Sequence, residues 1–130
     1  MAETKKKILI IDDDSFLLDM YALKFTQSGF EVDTALGSEI ALQKLQEGAK
    51  PDIILMDILM PVMDGFQLLE KINSEKICTA SCKIILSNRG QQEDIERGKE
   101  LGADGYIIKA NATPAEVITQ VTDILNKKGK

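Results

Sequence analysis

Four polar positions in this chain each follow directly on a short apolar run. Asp12-Asp13-Asp14 follows Ile8–Ile11, Asp57 follows Ile53–Met56, Ser87 follows Ile84–Leu86, and Lys109 follows Tyr106–Ile108. Brought together, carboxylates, a hydroxyl and an ammonium can hold a divalent cation and then a phosphoryl group. Crowded carboxylates raise one another's pKa unless a cation intervenes. Magnesium suits such a set, because it takes one or two carboxylates, waters and a phosphate oxygen. A carboxylate is a weak nucleophile and needs a positioned, charge-neutralised phosphoryl electrophile. A metal ion, an ammonium and a hydroxyl donor supply that stabilisation.

The elements that would position these groups alternate. Strands are expected at Lys7–Ile11, Phe30–Ala35, Ile53–Met56, Lys83–Ser87 and Tyr106–Ile108. Helices are expected over Ser15–Ser28, from Ser38 to Gly48, over Phe66–Ser74, over Gln91–Leu101, and from Pro114 onward. Continuous apolar strands alternating with helices predict an α/β, doubly wound parallel sheet, with the site outside the carboxyl ends of the strands. The wetter second strand, with Glu31 and Asp33 between Phe30, Val32 and Thr34, belongs at an edge. The strands ending at Asp12 and Asp57 are then central neighbours.

Local signals fill in the elements. Asp14 is placed to cap the first helix, and Phe16, Met20 and Leu23 at i, i+4, i+7 predict its buried stripe. Ser38 is expected to cap the second helix, and Gly29, Gly48 and Gly102 to end helices. Pro61 and Asp64-Gly65 predict a turn before the third helix. Thr113, Pro114 and Glu116 form a capping-box signature for the fifth. The fourth helix is sparse, with Ile95 and Leu101 its large apolar residues and Gly98 costing about 1 kcal/mol against alanine.

Composition narrows the function. The 130 residues are 44% apolar and 28% charged, fit for one domain (1–130, globular part about 7–126). A net charge of -5 argues against non-specific nucleic-acid binding. With no histidine, a Ser/His/Asp triad, a His-ligated metal and a phosphohistidine on this chain are excluded. Cys78 and Cys82 read as free thiols of a reducing compartment, and no early apolar run is long enough for a leader or a membrane span. A cytoplasmic protein without a membrane partner is expected. Residues 1–6 and the lysines near both ends read as solvated tails.

The motifs together resemble a known family. Ile10-Ile11-Asp12-Asp13-Asp14, Pro51-Asp52-Ile53-Ile54-Leu55-Met56-Asp57, Met60-Pro61-Val62-Met63-Asp64-Gly65, Leu86-Ser87 and Tyr106-Ile107-Ile108-Lys109 resemble the receiver domain of bacterial two-component response regulators. The resemblance implies the flavodoxin-like sheet order 2-1-3-4-5 with five helices. It implies that Asp57 accepts a phosphoryl group from a sensor histidine kinase or a phosphotransfer protein. Magnesium would be held by Asp13, Asp57 and the main-chain carbonyl of Leu59, with Asp12 acting mainly through a metal-bound water. Lys109 and Ser87 would bind phosphoryl oxygens, and Tyr106 would be the switch aromatic. Leu59 and Arg89 would tune the lifetime of the phosphoryl state.

One departure bears on this transfer. The family's usual proline after the lysine is Ala110 here, so the loop is either trans and differently shaped or locally strained. Rival readings each lack a residue. A haloacid-dehalogenase-type phosphatase would need an acid where Leu59 stands. A flavin mononucleotide carrier would need a hydroxyl- and glycine-rich loop where the chain has Asp12-Asp13-Asp14-Ser15. A cobalamin module would need a histidine. A phosphorylation-independent interaction module remains as the alternative. Output is expected through the face formed by the fourth helix, fifth strand and fifth helix, toward a protein target. No DNA-binding output domain is expected in the chain.

Overall fold

The computed structural model describes residues 5–128; of the tail expected over residues 1–6, residues 1–4 lie outside them, as do Gly129 and Lys130. Strands β1 (Lys7–Asp12), β2 (Glu31–Leu36), β3 (Ile53–Met56), β4 (Cys82–Ser87) and β5 (Gly105–Ile108) alternate with helices. The helices are α1 (Ser15–Gln27), α2 (Ser38–Gln46), α3 (Gly65–Ser74), α4 (Gln92–Glu100) and α5 (Pro114–Lys128). The strands form one parallel sheet in the order β2-β1-β3-β4-β5. This is the flavodoxin-like arrangement that the alternation and the motifs predict.

Burial explains the order. Every residue of β3 and β4 is buried, so these strands need cover on both faces. Strand β2 is half wet and takes the edge. Successive strand side chains point to opposite faces. Leu9, Ile11, Ile54, Met56 and Ile85 therefore pack with Leu42, Leu45, Phe66, Leu69 and Ile72 of α2 and α3. Ile8, Ile10, Ile53, Leu55 and Ile84 pack with Leu18, Tyr21 and Phe25 of α1 and Val117 and Val121 of α5.

Two local expectations are corrected. The buried stripe of α1 is Leu18, Tyr21 and Phe25, whereas Phe16 is 77% and Leu23 56% exposed. The helix carries two apolar stripes, and periodicity alone cannot rank them. Tertiary contact decides, with Phe25 meeting Phe30 edge-to-face at a centroid distance of 5.1 Å. Ser38 is not the cap of α2. Gly37 occupies that position without a side-chain bond, and the Ser38 hydroxyl donates to the Met63 carbonyl at 2.7 Å.

Other signals are met. Asp14 caps α1 by accepting from Phe16 and Leu17 amides. Thr113 and Glu116 exchange backbone-to-side-chain bonds at the start of α5. Gly98 has a packing reason: a Cβ there would lie 2.8 Å from Ile85 Cδ1, so the glycine lets α4 sit close to the sheet.

The two thiols lie against different faces of the sheet. Cys78 borders the α2/α3 side, half-buried, and Cys82 is wholly buried on the α1/α5 side. Burial pushes the Cys82 thiol up to about 11. A thiol reagent at mildly alkaline pH should therefore titrate one cysteine in the native protein and the second only after unfolding. Equal, rapid reaction of both would contradict this placement.

Candidate functional site

Parallel neighbours β1 and β3 end side by side, which brings three carboxyl groups to one edge. The Asp57 amide extends the ladder by donating to the Ile11 carbonyl at 3.1 Å. Asp12, Asp13 and Asp57 each offer a carboxylate oxygen within 4.8 Å of the others. Asp12 and Asp57 are buried, and Asp13 is exposed at the mouth.

The buried pair is held from two sides. Asp12 Oδ1 accepts from the Asp14 amide at 3.0 Å. Asp57 Oδ1 accepts from the amides of Ile58 at 2.7 Å and Leu59 at 3.3 Å. Lys109 Nζ donates to Asp12 Oδ2 at 2.9 Å and to Asp57 Oδ2 at 3.0 Å. Burial alone would lower the Lys109 pKa, but the bonds and charges of Asp12 and Asp57 more than offset it, leaving Lys109 above the usual lysine range. The family resemblance implies that Asp12 acts through a metal-bound water; in the structure its Oδ2 also accepts directly from Lys109.

Three carboxyl groups thus face one ammonium. Excess negative charge, hard oxygen donors and an exposed third carboxylate fit a magnesium ion. The lysine loop is resolved as well: no peptide bond among the described residues is cis, and Lys109–Asn111 forms a short 3-10 turn. With Ala110 after it, Lys109 still reaches the acids.

The loop after Asp57 is fixed by Gly65. A Cβ there would collide with the Asp57 carbonyl and lie 2.8 Å from Ile58 Cα, while the Gly65 amide donates to the Ile58 carbonyl at 2.9 Å. Asp64 and Gln67 close a capping box beside it. The Asp64-Gly65 turn is thus a close backbone approach that aims the aspartate.

Ser87 and Tyr106 reach the same edge but do not touch the acids. Ser87 is fully buried, and its Oγ accepts from the Arg89 amide at 3.2 Å. The half-buried Tyr106 donates its hydroxyl to the Arg89 carbonyl. Burial first, and then the charge of Asp94, push the Tyr106 phenol up to about 12, although Arg89 pulls the other way. Asp94, buried and paired to Arg89 at 3.0 Å, was missed from sequence. Its one signal was its place three residues after Gln91, where it closes a capping box on α4. Leu59 is 55% exposed at the rim.

The chain is similar to known proteins in both sequence and fold. The family model described as the response regulator receiver domain matches residues 8–122. The chain is 34% identical over 122 residues to the alkaline phosphatase synthesis transcriptional regulatory protein PhoP of Bacillus subtilis, covering 94% of this chain and 49% of that protein. It is 30% identical over 122 residues to the phosphate regulon transcriptional regulatory protein PhoB of Escherichia coli, covering 94% of this chain and 52% of that protein. The chain spans about half the length of these curated relatives. Among solved structures, a CheY-like receiver domain protein from Methanospirillum hungatei superposes with a TM-score of 0.86 at 29% identity, covering 97% of this chain and 98% of that one. Chemotaxis protein CheY4 of Vibrio cholerae gives 0.85 at 27% identity, covering 93% and 99%.

Two outcomes follow. Gly65→Ala should destabilise the fold by about 1–3 kcal/mol in urea unfolding, because backbone rather than a flexible side chain blocks the methyl; an unchanged midpoint would contradict the close approach. For the tyrosines, Tyr21 and Tyr106 are both raised by burial, so the neutral phenols stabilise the fold below pH 10 and that contribution fades as pH approaches 12 for Tyr106. Phenolate absorbance should stay low at pH 10, and Tyr106→Phe should remove the step near 12. Half-ionisation at pH 10 would refute the burial.

Proposed function

The chain belongs to the response regulator receiver domain family, and from that membership we propose that it accepts a phosphoryl group on Asp57 and passes the change to a protein partner. The observation that carries this reading is Lys109 bonded to both Asp12 and Asp57 within a cluster of three carboxylates. The donor is the phosphohistidine of a sensor histidine kinase or a phosphotransfer protein. An Asp57 oxygen forms the new P–O bond as the P–N bond breaks, and the imidazole leaves with the electron pair. Asp12, Asp13, Asp57 and the Leu59 carbonyl would hold magnesium, which when bound neutralises charge on the phosphoryl oxygens.

This chain's own residues do the rest. Backbone amides of Ile58 and Leu59 fix the Asp57 carboxylate. Lys109, desolvated and positive, faces the oxygen that must approach phosphorus, and is placed to take a phosphoryl oxygen afterwards. Ser87 supplies a hydroxyl to a second oxygen, and its movement reaches Tyr106 through Arg89. The acyl phosphate ends when water attacks phosphorus and the P–O bond to Asp57 breaks. The chain promotes its own phosphorylation and dephosphorylation and does not turn over an external substrate.

Surface chemistry supports separate input and output faces. Large exposed apolar residues lie around the acid pocket: Phe16, Leu36, Ile40, Leu59 and Val62. With Asp13, Glu39 and Pro61, three of them line an open cavity of about 340 Å³. Such a rim suits docking of a donor protein over Asp57. Among the described residues no exposed large apolar side chain lies on α4, β5 or α5, so output through that face is a polar protein–protein contact. No helix of the described residues is long and apolar enough to cross a membrane. The proposed location is the cytoplasm, with no nucleic-acid contact made by this chain.

Incubation with acetyl phosphate and magnesium should add one phosphoryl mass to the intact protein, and Asp57→Asn should abolish the gain. No gain in the wild type would favour a phosphorylation-independent interaction module. Apolar Leu59 hinders the attacking water, so Leu59→Glu should shorten the lifetime of the phosphoryl state severalfold. An unchanged hydrolysis rate would remove Leu59 from that role.

A further inference from the structure

The sheet uses one apolar stripe of α1 and leaves the other facing outward. Leu18, Tyr21 and Phe25 are buried in the core. On the opposite side of the helix, Phe16 and Leu23 are exposed and Met20 is half-buried. Gln27, also exposed, continues that second series. The steps from Phe16 to Met20, Leu23 and Gln27 are four, three and four residues, the alternation of a coiled-coil seam. In that frame Phe16 and Leu23 stand at d, and Met20 and Gln27 at a.

The charged neighbours fit the same frame. Asp19 precedes Met20 and stands at g; Lys24 follows Leu23 and stands at e. Both are exposed, and neither has an ion-pair partner among the described residues. They do not meet on their own helix, where side chains three and four apart are the neighbours. In a parallel helix pair, g of one helix faces e of the following heptad on the other. Asp19 of one copy then meets Lys24 of a second copy, and the reverse pair forms by symmetry. In an antiparallel pair g faces g and e faces e, which sets aspartate against aspartate and lysine against lysine. The stripe and its two charges are therefore complementary to a second copy of this chain in parallel orientation. Packing on the sheet already holds α1 helical, so pairing does not carry the cost of forming the helix.

We infer that α1 is a self-association surface, on which two copies pair in parallel along Phe16, Met20, Leu23 and Gln27 while Asp19 and Lys24 cross the seam. The contact is one short helix wide and includes the Gln27 amide, so the dimer is weak and reversible. Because α1 begins directly after Asp14, a parallel pair opens both acid pockets on the same side. It also covers Phe16, so a second copy and a docking donor protein exclude one another there. That exclusion rests on the receiver reading above; the pairing itself does not.

The experiment is sedimentation equilibrium of the whole chain over a concentration series. The wild type should dimerise with a dissociation constant on the order of 0.1 mM. Asp19→Lys and Lys24→Glu, each alone, should weaken the dimer about tenfold, because each makes both crossing pairs repulsive. An equimolar mixture of the two single variants should associate again, and the double variant Asp19→Lys/Lys24→Glu should regain the wild-type affinity. Phe16→Ser with Leu23→Ser should be monomeric, and its thermal midpoint should stay near that of the wild type because both side chains are exposed. A wild type that is monomeric up to about 1 mM overturns the pairing. Association that ignores the charge swaps or survives loss of Phe16 and Leu23 runs through another face or another orientation, and overturns it too. Neither result touches the receiver reading, which the phosphoryl mass gain tests separately.

Discussion

Repulsion among the carboxyl groups of Asp12, Asp13 and Asp57 is the constraint around which this structure is organised. Like charges this close are unfavourable unless a cation sits among them. Lys109 answers part of the demand from within the chain, bonded to the two buried acids. Asp13 stays at the surface, and among the described residues no ammonium pairs with it. In the proposed function, that residual demand is what draws a divalent ion and then a phosphoryl group to the pocket. A pocket fully neutralised by lysines would be more stable and would have no use for either.

The parallel sheet is what permits the crowding. Antiparallel neighbours would send their ends to opposite edges, whereas parallel β1 and β3 deliver Asp12 and Asp57 to the same one. Strand β5 is two places from β3, so Lys109 must reach across β4 to meet them. Its long stem does so with a side chain only 10% exposed. Ser87 at the end of β4, the strand between them, is fully buried.

Much of this was legible because the fold rests on features that local sequence encodes. Four apolar runs ending in aspartate, aspartate, serine and lysine marked four of the strands and one common edge. Asp14, Thr113, Glu116 and the Asp64-Gly65 turn were legible because capping and tight turns depend on a few adjacent residues. The buried stripe of α1 was not, because Phe16-Met20-Leu23 and Leu18-Tyr21-Phe25 are equally periodic and only the partner surface distinguishes them, leaving Phe16 and Leu23 exposed and Met20 half-buried against the core. The work of Ser38 was hidden for the same reason, since its acceptor is Met63, twenty-five residues away. Asp94 was obscured by its surroundings: in a helix this polar, nothing local marks one acid as buried. Lys83 and Lys109 are a pair that chain direction separates, since Lys83 precedes its apolar run and Lys109 follows one. Both adjoin apolar strand residues, yet Lys83 donates to the Cys78 and Ser81 carbonyls at the start of β4, and Lys109 reaches the acids.

The loop after Asp57 shows the same exchange of local comfort for position. Val62 has φ 70° and is 81% exposed. A β-branched residue in the left-handed region is strained, by roughly 1–3 kcal/mol, and an exposed side chain recovers none of that by burial. The neighbours hold it there. The Met63 amide donates to the Pro61 carbonyl at 2.8 Å, and the Met63 carbonyl takes the Ser38 hydroxyl. Gly65 then presses against the Asp57 backbone. The segment from Asp57 to Gly65 is thus fixed at both ends and along its length, which keeps the acceptor carboxylate aimed while its apolar rim stays open to a partner. A looser loop would relieve Val62, but it would let the Asp57 carboxylate turn away from Lys109, and the pairing that defines the acid pocket would be lost.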